Sequence, residues 1–294
     1  MTWVTWRQHR GQAMVSLAVL AGLALALFLV SEPMRQAFGQ DGITGCVARG
    51  TRTAGCQNAI GAFLSSWGFT YNQALIALLI IPGLIGVIIG APLLGRELEE
   101  GTWRMAWSQT VPRTRWLVSK LALVSAGLVA FGAALTGVFT WYRAPMDQLT
   151  GHFTEAAYDF EGLCLTASLL CSFAFAVLAG LAARRSIAGM VAAFLPWLAL
   201  RGLTDLFLRQ HLAQPLAKEL PASASIAFGP NTTSMTGNAG DWVLGATRAA
   251  GHVFVTYQPA GRFWTFQAIE AGGYLTLAAA ALGGAVWLLH RRAA

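Results

Sequence analysis

The sequence predicts an all-α integral membrane protein with six transmembrane helices and both termini on the cytoplasmic side (N-in/C-in). Three observations lead to this prediction. The chain has 294 residues, of which 55% are hydrophobic and only 11% charged, whereas a soluble domain carries about 25% charged residues. The uncharged residues form blocks that approach or exceed the roughly 20 residues a helix needs to cross a bilayer. Basic residues gather in the short connections on one side of these blocks.

The predicted spans are stretches with few or no charged residues. They cover 13–30, 74–94, 121–141, 163–183, 187–203 and 268–289. The fifth carries the weakest signal, because Pro196 interrupts it and Arg201 lies near its end. We therefore expect one transmembrane domain over 1–294, with external loops at 31–70, 142–162 and 204–267.

The distribution of arginine and lysine predicts the orientation. One side has short connections that carry Arg7, Arg10, Arg96, Arg104, Arg113, Arg115, Lys120, Arg184, Arg185, Arg291 and Arg292. The other side dilutes its basic residues over longer loops: Arg35, Arg49, Arg52, Arg143, Arg209, Lys218, Arg248 and Arg262. The positive-inside rule places the first group in the cytoplasm. The net charge of +7 thus follows from topology and does not indicate a nucleic-acid partner.

The chain opens with Trp3, Trp6, Arg7 and Arg10 at helical spacing. Aromatic and basic residues in this arrangement suit the headgroup region, so we predict a short interfacial helix leading into the first span. A simple basic flank explains the same residues.

Four cysteines fall into two pairs. Cys46 and Cys56 lie in the first predicted external loop, where a disulfide is permitted. Cys164 and Cys171 lie within the fourth span on one helix face, and we interpret them as small packing residues.

Span two contains I-P-G-L-I-G-V-I-I-G-A-P, which includes Pro82, Gly83, Gly86, Gly90 and Pro92. Gly86 and Gly90 form a G-x-x-x-G pair, which allows another helix to approach closely. A helix broken by glycine and proline could also line a pathway. Helix packing is the favoured interpretation.

Several charged residues lie close to the span ends. Arg201 and Asp205 are spaced i, i+4 and could pair with each other, and Glu270 lies at the start of span six. Ionisable groups within a membrane are functional candidates, but hydration at the outer interface explains these three equally simply. Asp159 and Glu161 are expected to be the solvated entry to span four.

Motifs for catalysis and for metal binding are missing from the sequence. A P-loop ends in Gly-Lys-Ser/Thr, but Lys120 follows Ser119 and Lys218 follows Ala217. The five histidines are scattered, with no H-E-x-x-H, and no G-x-S-x-G occurs. We therefore predict no catalytic residue, no metal site and no ATPase site in this chain.

The most densely charged stretch is 96–120, R-E-L-E-E-G-T-W-R-M-A-W-S-Q-T-V-P-R-T-R-W-L-V-S-K, between two uncharged spans. Thr102 is a plausible N-cap, Trp103 and Trp107 share a helix face, and Pro112 suits the first turn of the next helix. The pattern predicts a short amphipathic helix in the cytoplasm. An ordinary positive-inside loop is the simpler alternative.

The chain resembles the ABC-2 type permeases, in particular the small six-span ones of actinobacteria. Three pieces in order carry the resemblance: T-W-R-Q-H-R at the start, 96–120 after span two, and T-Y-Q-P-A-G-R-F-W-T-F-Q-A-I-E before span six. Pro112 departs from the family's pattern, where a polar or hydroxyl residue is more usual.

The resemblance implies a transmembrane subunit that pairs with a second copy of itself and binds two copies of a separate ABC ATPase. ATP and Mg would be bound by that partner, and this chain would need no cofactor. The stretch after span two would be the coupling helix, with these contact residues: Glu99, Glu100, Gly101, Thr102, Trp103, Arg104, Trp107 and Gln109. In such permeases the pathway lies along the dimer interface, close to spans one, two and five.

We therefore expect a multi-pass exporter subunit, surrounded by membrane lipid, that moves an apolar or amphipathic substrate. Lysine occurs only at Lys120 and Lys218, which suggests GC-rich coding and a bacterial cytoplasmic membrane. The alternative function is a non-transporting sensor or scaffold that uses the same turn to hold a cytoplasmic partner. An intramembrane enzyme has little support from the motifs.

Overall fold

The structure is a computed structural model that describes residues 2–40, 42–49, 53–100, 113–153, 155–221, 240–249 and 252–293. It is mostly helical. The helices are α1 (Thr2–Gln40), α2 (Ile43–Arg49), α3 (Ala54–Leu78), α4 (Ile81–Glu99), α5 (Arg113–Thr150), α6 (Glu155–Tyr158), α7 (Cys164–Ala183), α8 (Ser186–Leu203), α9 (Arg209–His211) and α10 (Phe263–Ala293). A π-helical turn, Thr204–Leu208, joins α8 to α9, and a 3-10 turn, Ala260–Arg262, precedes α10.

Five helical stretches among the described residues are long and apolar enough to cross a membrane. They are Ile81–Glu99, Arg115–Thr150, Cys164–Ala183, Ser186–His211 and Ala260–Arg291. The first predicted span, 13–30, falls within α1. It includes residues whose side chains the structure does not describe, and so it stays a prediction.

The helices extend further than the apolar blocks predict. α1 is continuous from Thr2 to Gln40, so the opening residues form its first turns rather than a separate interfacial helix. Its 39 residues correspond to about 58 Å of helix, nearly twice the roughly 30 Å of a bilayer core. The predicted loop 31–70 is therefore largely helical, formed by the end of α1, by α2 and by the start of α3. The predicted loop 142–162 likewise begins with helix, because α5 continues to Thr150.

The second predicted span, 74–94, is divided by a turn at Leu79 and Ile80. Pro82 explains the break, because it lacks the N–H that would continue the hydrogen bonding of α3 and it fits the first turn of α4. The crossing helix is α4, which begins at Ile81 and ends at Glu99.

α7 lies at the centre of the bundle. Its buried residues surround the whole helix, which is typical of a helix packed on every side. It contacts α4, α8, α10 and α5. One end of this core contains Leu93, Leu117 and Leu289 from α4, α5 and α10, so these three helix ends lie together.

A small antiparallel sheet forms at the opposite end, where the sequence analysis expected only loop. Its strands are β1 (Leu216–Pro221), β2 (Trp242–Ala249) and β3 (His252–Gln258), in the order β1-β3-β2. A bulge lies at Val243/Gly245 in β2. The all-α prediction therefore holds for the membrane part and is wrong for this segment, where Val253 and Val255 of β3 are fully buried.

Below, the end of the bundle with Glu99, Lys120 and Arg185 is called the turn end, and the end with the three strands is called the sheet end.

Candidate functional site

The last turn of α4 is tied to two other helices at the turn end. Lys120 Nζ of α5 lies 2.5 Å from Glu97 Oε1 and donates to the Leu93 carbonyl at 3.1 Å. Glu99 Oε2 accepts hydrogen bonds from the Ser186 backbone N–H at 3.3 Å and from its hydroxyl at 3.1 Å. Ser186 begins α8, so Glu99 satisfies an N–H at a helix start, where a negative charge is favourable.

Helix geometry explains why two nearby carboxylates reach different partners. Successive residues of an α-helix are about 100° apart, so Glu97 and Glu99 point to nearly opposite faces. The turn between α7 and α8 approaches α4 closely, because a Cβ placed on Gly95 would lie 3.3 Å from the Ser186 Cα. Arg184 has a left-handed φ of 54° in this turn and ends α7 with its N–H bonded to the Gly180 carbonyl.

Two of the predicted ATPase-contact residues are described. Glu99 bonds to Ser186, and Glu100 forms an exposed i, i+4 ion pair with Arg96 at 2.7 Å. The other predicted contacts lie outside the described residues, as does the predicted coupling helix itself: Gly101, Thr102, Trp103, Arg104, Trp107 and Gln109. For these the assignment stays a prediction.

The glycines of α4 face other helices of the same chain. A Cβ on Gly86 would lie 2.8 Å from both the Leu169 carbonyl and the Phe173 nitrogen, and one on Gly90 would lie 2.6 Å from the Phe173 carbonyl. On Gly83 a Cβ would overlap the ring of Trp197. These are contacts of tight helix packing against α7 and α8.

Five charged residues, four of them buried and one half-buried, form a group near the sheet end, called the sheet-end cluster below. Arg201 and Arg209 each place a guanidinium nitrogen 2.6 Å from the same oxygen of Asp159. Arg209 also contacts both oxygens of Glu270 at 3.0 Å and Asp205 at 2.6 Å. Arg201 Nε lies 3.3 Å from Asp205, the pairing that their i, i+4 spacing predicts.

The local helix geometry brings Arg201, Asp205 and Arg209 onto one face. A four-residue step overshoots a full α-helical turn of 3.6 residues. The π-helical turn at Thr204–Leu208 has more residues per turn, so the step from Asp205 to Arg209 offsets that overshoot. Such single π turns are common at functional sites.

Two neighbours complete the surroundings of the sheet-end cluster. The Tyr158 ring lies 4.2 Å from the Arg209 guanidinium carbon, and burial raises the pKa of its phenol well above the ordinary value. Gln267 of α10 accepts hydrogen bonds from the N–H groups of Leu163 and Cys164 at 3.0 and 2.9 Å, and donates to the Tyr158 carbonyl at 2.8 Å. A side chain of α10 therefore caps the start of α7.

A second group of charges, called the histidine cluster below, lies where α5 ends. Arg143 is fully buried and contacts Asp147 at 2.5 Å and Glu161 at 3.4 Å. His152, which is half-exposed, places Nδ1 2.7 Å from Glu161 and 3.6 Å from Asp147.

The structure corrects the interpretation of the span-end charges as hydrated. Arg201 is 5% exposed and Glu270 6%, while Asp159 and Glu161, expected to form a solvated entry, are 5% and 4% exposed. Arg209, which contacts Asp159, Asp205 and Glu270, was not among the predicted site residues. Its i, i+4 spacing from Asp205 was a readable signal, but nothing in the sequence pointed to Asp159 or Glu270.

Both clusters bring three potential metal ligands within 4.8 Å of one another: Asp159, Asp205 and Glu270 in one, and Asp147, His152 and Glu161 in the other. An arginine already lies among the carboxylates in each case. These guanidinium groups supply the positive charge that a metal ion would otherwise bring to the carboxylates, so we assign no metal to either cluster.

One protein family matches the chain. The model of the family described as ABC-2 membrane transporter related matches residues 17–209, more than half of the chain. The chain belongs to this family. No curated protein and no solved structure matches it.

This ABC-2 permease is a multi-pass membrane transport subunit that is not itself catalytic. The family match confirms the resemblance to ABC-2 type permeases, and of the three sequence pieces it contains the one at 96–120. The small six-span actinobacterial kind stays a prediction. The match includes the turn-end contacts of α4, α5 and α8 and most of the two charged clusters. It ends at Arg209, before the sheet and α10.

A disulfide joins Cys46 of α2 to Cys56 of α3 in the permease, with a Cα–Cα distance of 5.8 Å. The free cysteines among the described residues, Cys164 and Cys171, are both buried in α7. Cys164 lies against Tyr158 and the Gln267 carbonyl, which fits a packing role.

Proposed function

We propose that the chain is the membrane-spanning subunit of an ABC exporter that moves an apolar or amphipathic substrate across the bacterial cytoplasmic membrane. Two copies of the chain form the pathway, and two separate ABC ATPase subunits hydrolyse ATP. The proposal rests on the family match together with the contacts that join α4 to α5 and α8 at the turn end.

The turn end supports a role in receiving force. The described residues on both sides of 101–112 are anchored, since Glu97 contacts Lys120 and Glu99 contacts Ser186. A segment held in this way can pass a displacement to α4, α5 and α8. We therefore place the coupling helix at this segment and the turn end in the cytoplasm.

A separate protein hydrolyses ATP to drive transport, because this chain has no Gly-Lys-Ser/Thr sequence with which to bind the phosphates of ATP. ATP and Mg are accordingly bound by the ATPase subunits.

The buried charges support an apolar or amphipathic substrate over a small ion. Among the described residues, Arg143, Arg201 and Arg209 all contact carboxylates in the two clusters. The outward faces of the helices carry large apolar side chains such as Ile187, Val191 and Leu195 of α8. These faces suit lipid or a second copy of the chain.

Replacement of both Trp103 and Arg104 by alanine tests the proposal. The full chain and an ABC ATPase from the same genome are co-purified in detergent, and ATP hydrolysis is measured with and without the permease. We expect the variant to lose both ATPase binding and stimulated hydrolysis. The matched control replaces Trp264 and Arg262 at the sheet end, which we expect to leave both unchanged.

The same measurements separate the alternative, a sensor or scaffold. A scaffold binds its partner through this turn without stimulating ATP hydrolysis. If the double alanine variant binds the ATPase and stimulates hydrolysis as the wild type does, the assignment of the coupling helix is wrong.

A further inference from the structure

A partly buried ion pair joins the two helices on either side of residues 101–112. Glu97 lies in the last turn of α4, and Lys120 lies in the second turn of α5. The side chain of Lys120 is 5% exposed and that of Glu97 is 24% exposed. The two residues are 23 positions apart in sequence, so their contact closes a loop around the predicted coupling helix.

The surroundings of Lys120 make this contact costly to break. Lysine is almost never buried unless it is paired. Its neighbours Leu117 and Leu121 belong to the apolar core of the turn end, and the Trp116 ring lies 5.2 Å from its ammonium group. If the pair separated, the ammonium would stay in an apolar place without its carboxylate, which is strongly unfavourable.

Lys120 also donates a hydrogen bond to the Leu93 carbonyl of α4. The other charged side chains described near this position do not join α4 to α5. Arg96 and Glu100 pair within α4 itself and are exposed. Glu99 connects α4 to the start of α8 through Ser186. Among the contacts described at the turn end, Glu97 and Lys120 therefore form the ion pair that links the two helices.

We propose that Glu97 and Lys120 form a clasp that makes the ends of α4 and α5 move as one body when the ATPase displaces the coupling helix. Lys120 and Glu97 are then positioning residues for coupling. They set how much of the displacement reaches the membrane helices, and they do not bind the ATPase themselves. This inference rests on the proposed function.

The test compares ATPase binding with stimulated ATP hydrolysis in the full complex. The variants are Lys120→Met, Glu97→Gln, Lys120→Arg and the exchanged pair Glu97→Lys with Lys120→Glu. We expect Lys120→Met and Glu97→Gln to keep the Kd for the ATPase while stimulated ATP hydrolysis falls by about tenfold, the effect of a modest barrier increase. Lys120→Arg keeps the charge and should retain most of the hydrolysis.

The exchanged pair, Glu97→Lys with Lys120→Glu, distinguishes the loss of the ion pair from a general failure of the variants to fold. It restores opposite charges, so its stimulated hydrolysis should exceed that of either neutral variant. The matched control removes an exposed pair at the sheet end, whose side chains lie 2.8 Å apart, through His252→Gln and Glu219→Gln, which should leave both the Kd and the hydrolysis unchanged.

The outcomes are distinct. Unchanged hydrolysis in Lys120→Met overturns the clasp, and so does an equal loss of binding and hydrolysis, because the pair would then only shape the docking surface. A wild-type chain that neither binds nor stimulates an ABC ATPase overturns the proposed function itself, and the clasp with it.

Discussion

The guanidinium group of Arg209 contacts carboxylates from three parts of the chain. Asp205 lies four residues earlier, Asp159 precedes α7, and Glu270 belongs to α10. A guanidinium has five donors in a planar fork, which allows the two parallel hydrogen bonds to Glu270. One side chain thus links α9, α10 and the connection before α7 in a place where unpaired charges are costly.

At the residue scale, we predict that Arg209→Met strongly destabilises the protein. Its removal leaves Glu270 and Asp159 buried with too little positive charge, and the loss of one partner from a buried ionic group costs about 3–5 kcal/mol. Thermal unfolding in detergent, followed by tryptophan fluorescence, measures the effect. Arg248→Met at the exposed end of β2 is the control, expected to stay within about 0.5 kcal/mol of wild type. Equal midpoints for the two variants would show that the cluster contributes no stability.

Helix packing in this protein centres on α7. α4 approaches it through Gly86 and Gly90, and α8 approaches through Gly189, where an added Cβ would lie 2.6 Å from the Gly180 Cα. Small residues allow backbones to come this close, and inside a membrane such contacts replace the hydrophobic effect as a source of association. The G-x-x-x-G pair therefore serves packing within the chain.

At the element scale, Gly86→Ala is expected to destabilise the contact between α4 and α7. The added methyl group meets backbone atoms of Leu169 and Phe173 that cannot rotate away, and overpacking of this kind costs about 1–3 kcal/mol. Gly127→Ala in α5 is the matched change, because nothing lies within 4 Å of its Cβ position. There the better helix propensity of alanine should raise stability by up to about 1 kcal/mol. Thermal midpoints of both variants that move in the same direction would contradict the packing argument.

The two ends of the whole molecule differ in composition and in construction. The turn end has short connections, exposed Arg184 and Arg185, and the anchored flanks of 101–112. The sheet end has the three strands and the two buried charge clusters. The disulfide lies between α2 and α3, away from the turn end. Disulfides persist outside the reducing cytoplasm, so this asymmetry matches the orientation that the positive-inside rule predicts.

At the scale of the whole molecule, labelling with a membrane-impermeant maleimide tests the orientation. We expect a cysteine placed at Lys218 in β1 to react in intact cells, and one placed at Arg185 to react only after the membrane is opened. Both positions are exposed. Cys46 and Cys56 should react only after reduction, and Cys164 and Cys171 should not interfere because they are buried. The reverse labelling pattern would place the turn end outside and remove the proposed ATPase from reach.

The class of protein and the approximate position of most long apolar helices could be predicted from the sequence alone. The fourth predicted span, 163–183, differs by one residue from α7, which begins at Cys164 and ends at Ala183. An uncharged stretch of this length forms a helix in lipid, because its backbone N–H and C=O groups must form hydrogen bonds within the segment. The family could also be recognised from short ordered pieces, and the family model confirms it.

The tertiary structure alone decided which charges meet and where helices continue beyond the membrane. The ends of α1 and α5 beyond the predicted spans contain too few apolar residues for their length to be predicted. The strands after His211 are short, and the described residues of β1 and β2 are half-buried or exposed. Local spacing could suggest Arg201 with Asp205, but Lys120 with Glu97 and Arg209 with Glu270 are 23 and 61 residues apart. Such pairs form because the packing of α4, α5, α7 and α10 brings the two residues together. A buried charge without a partner of opposite charge is strongly unfavourable, so the paired arrangement is stable.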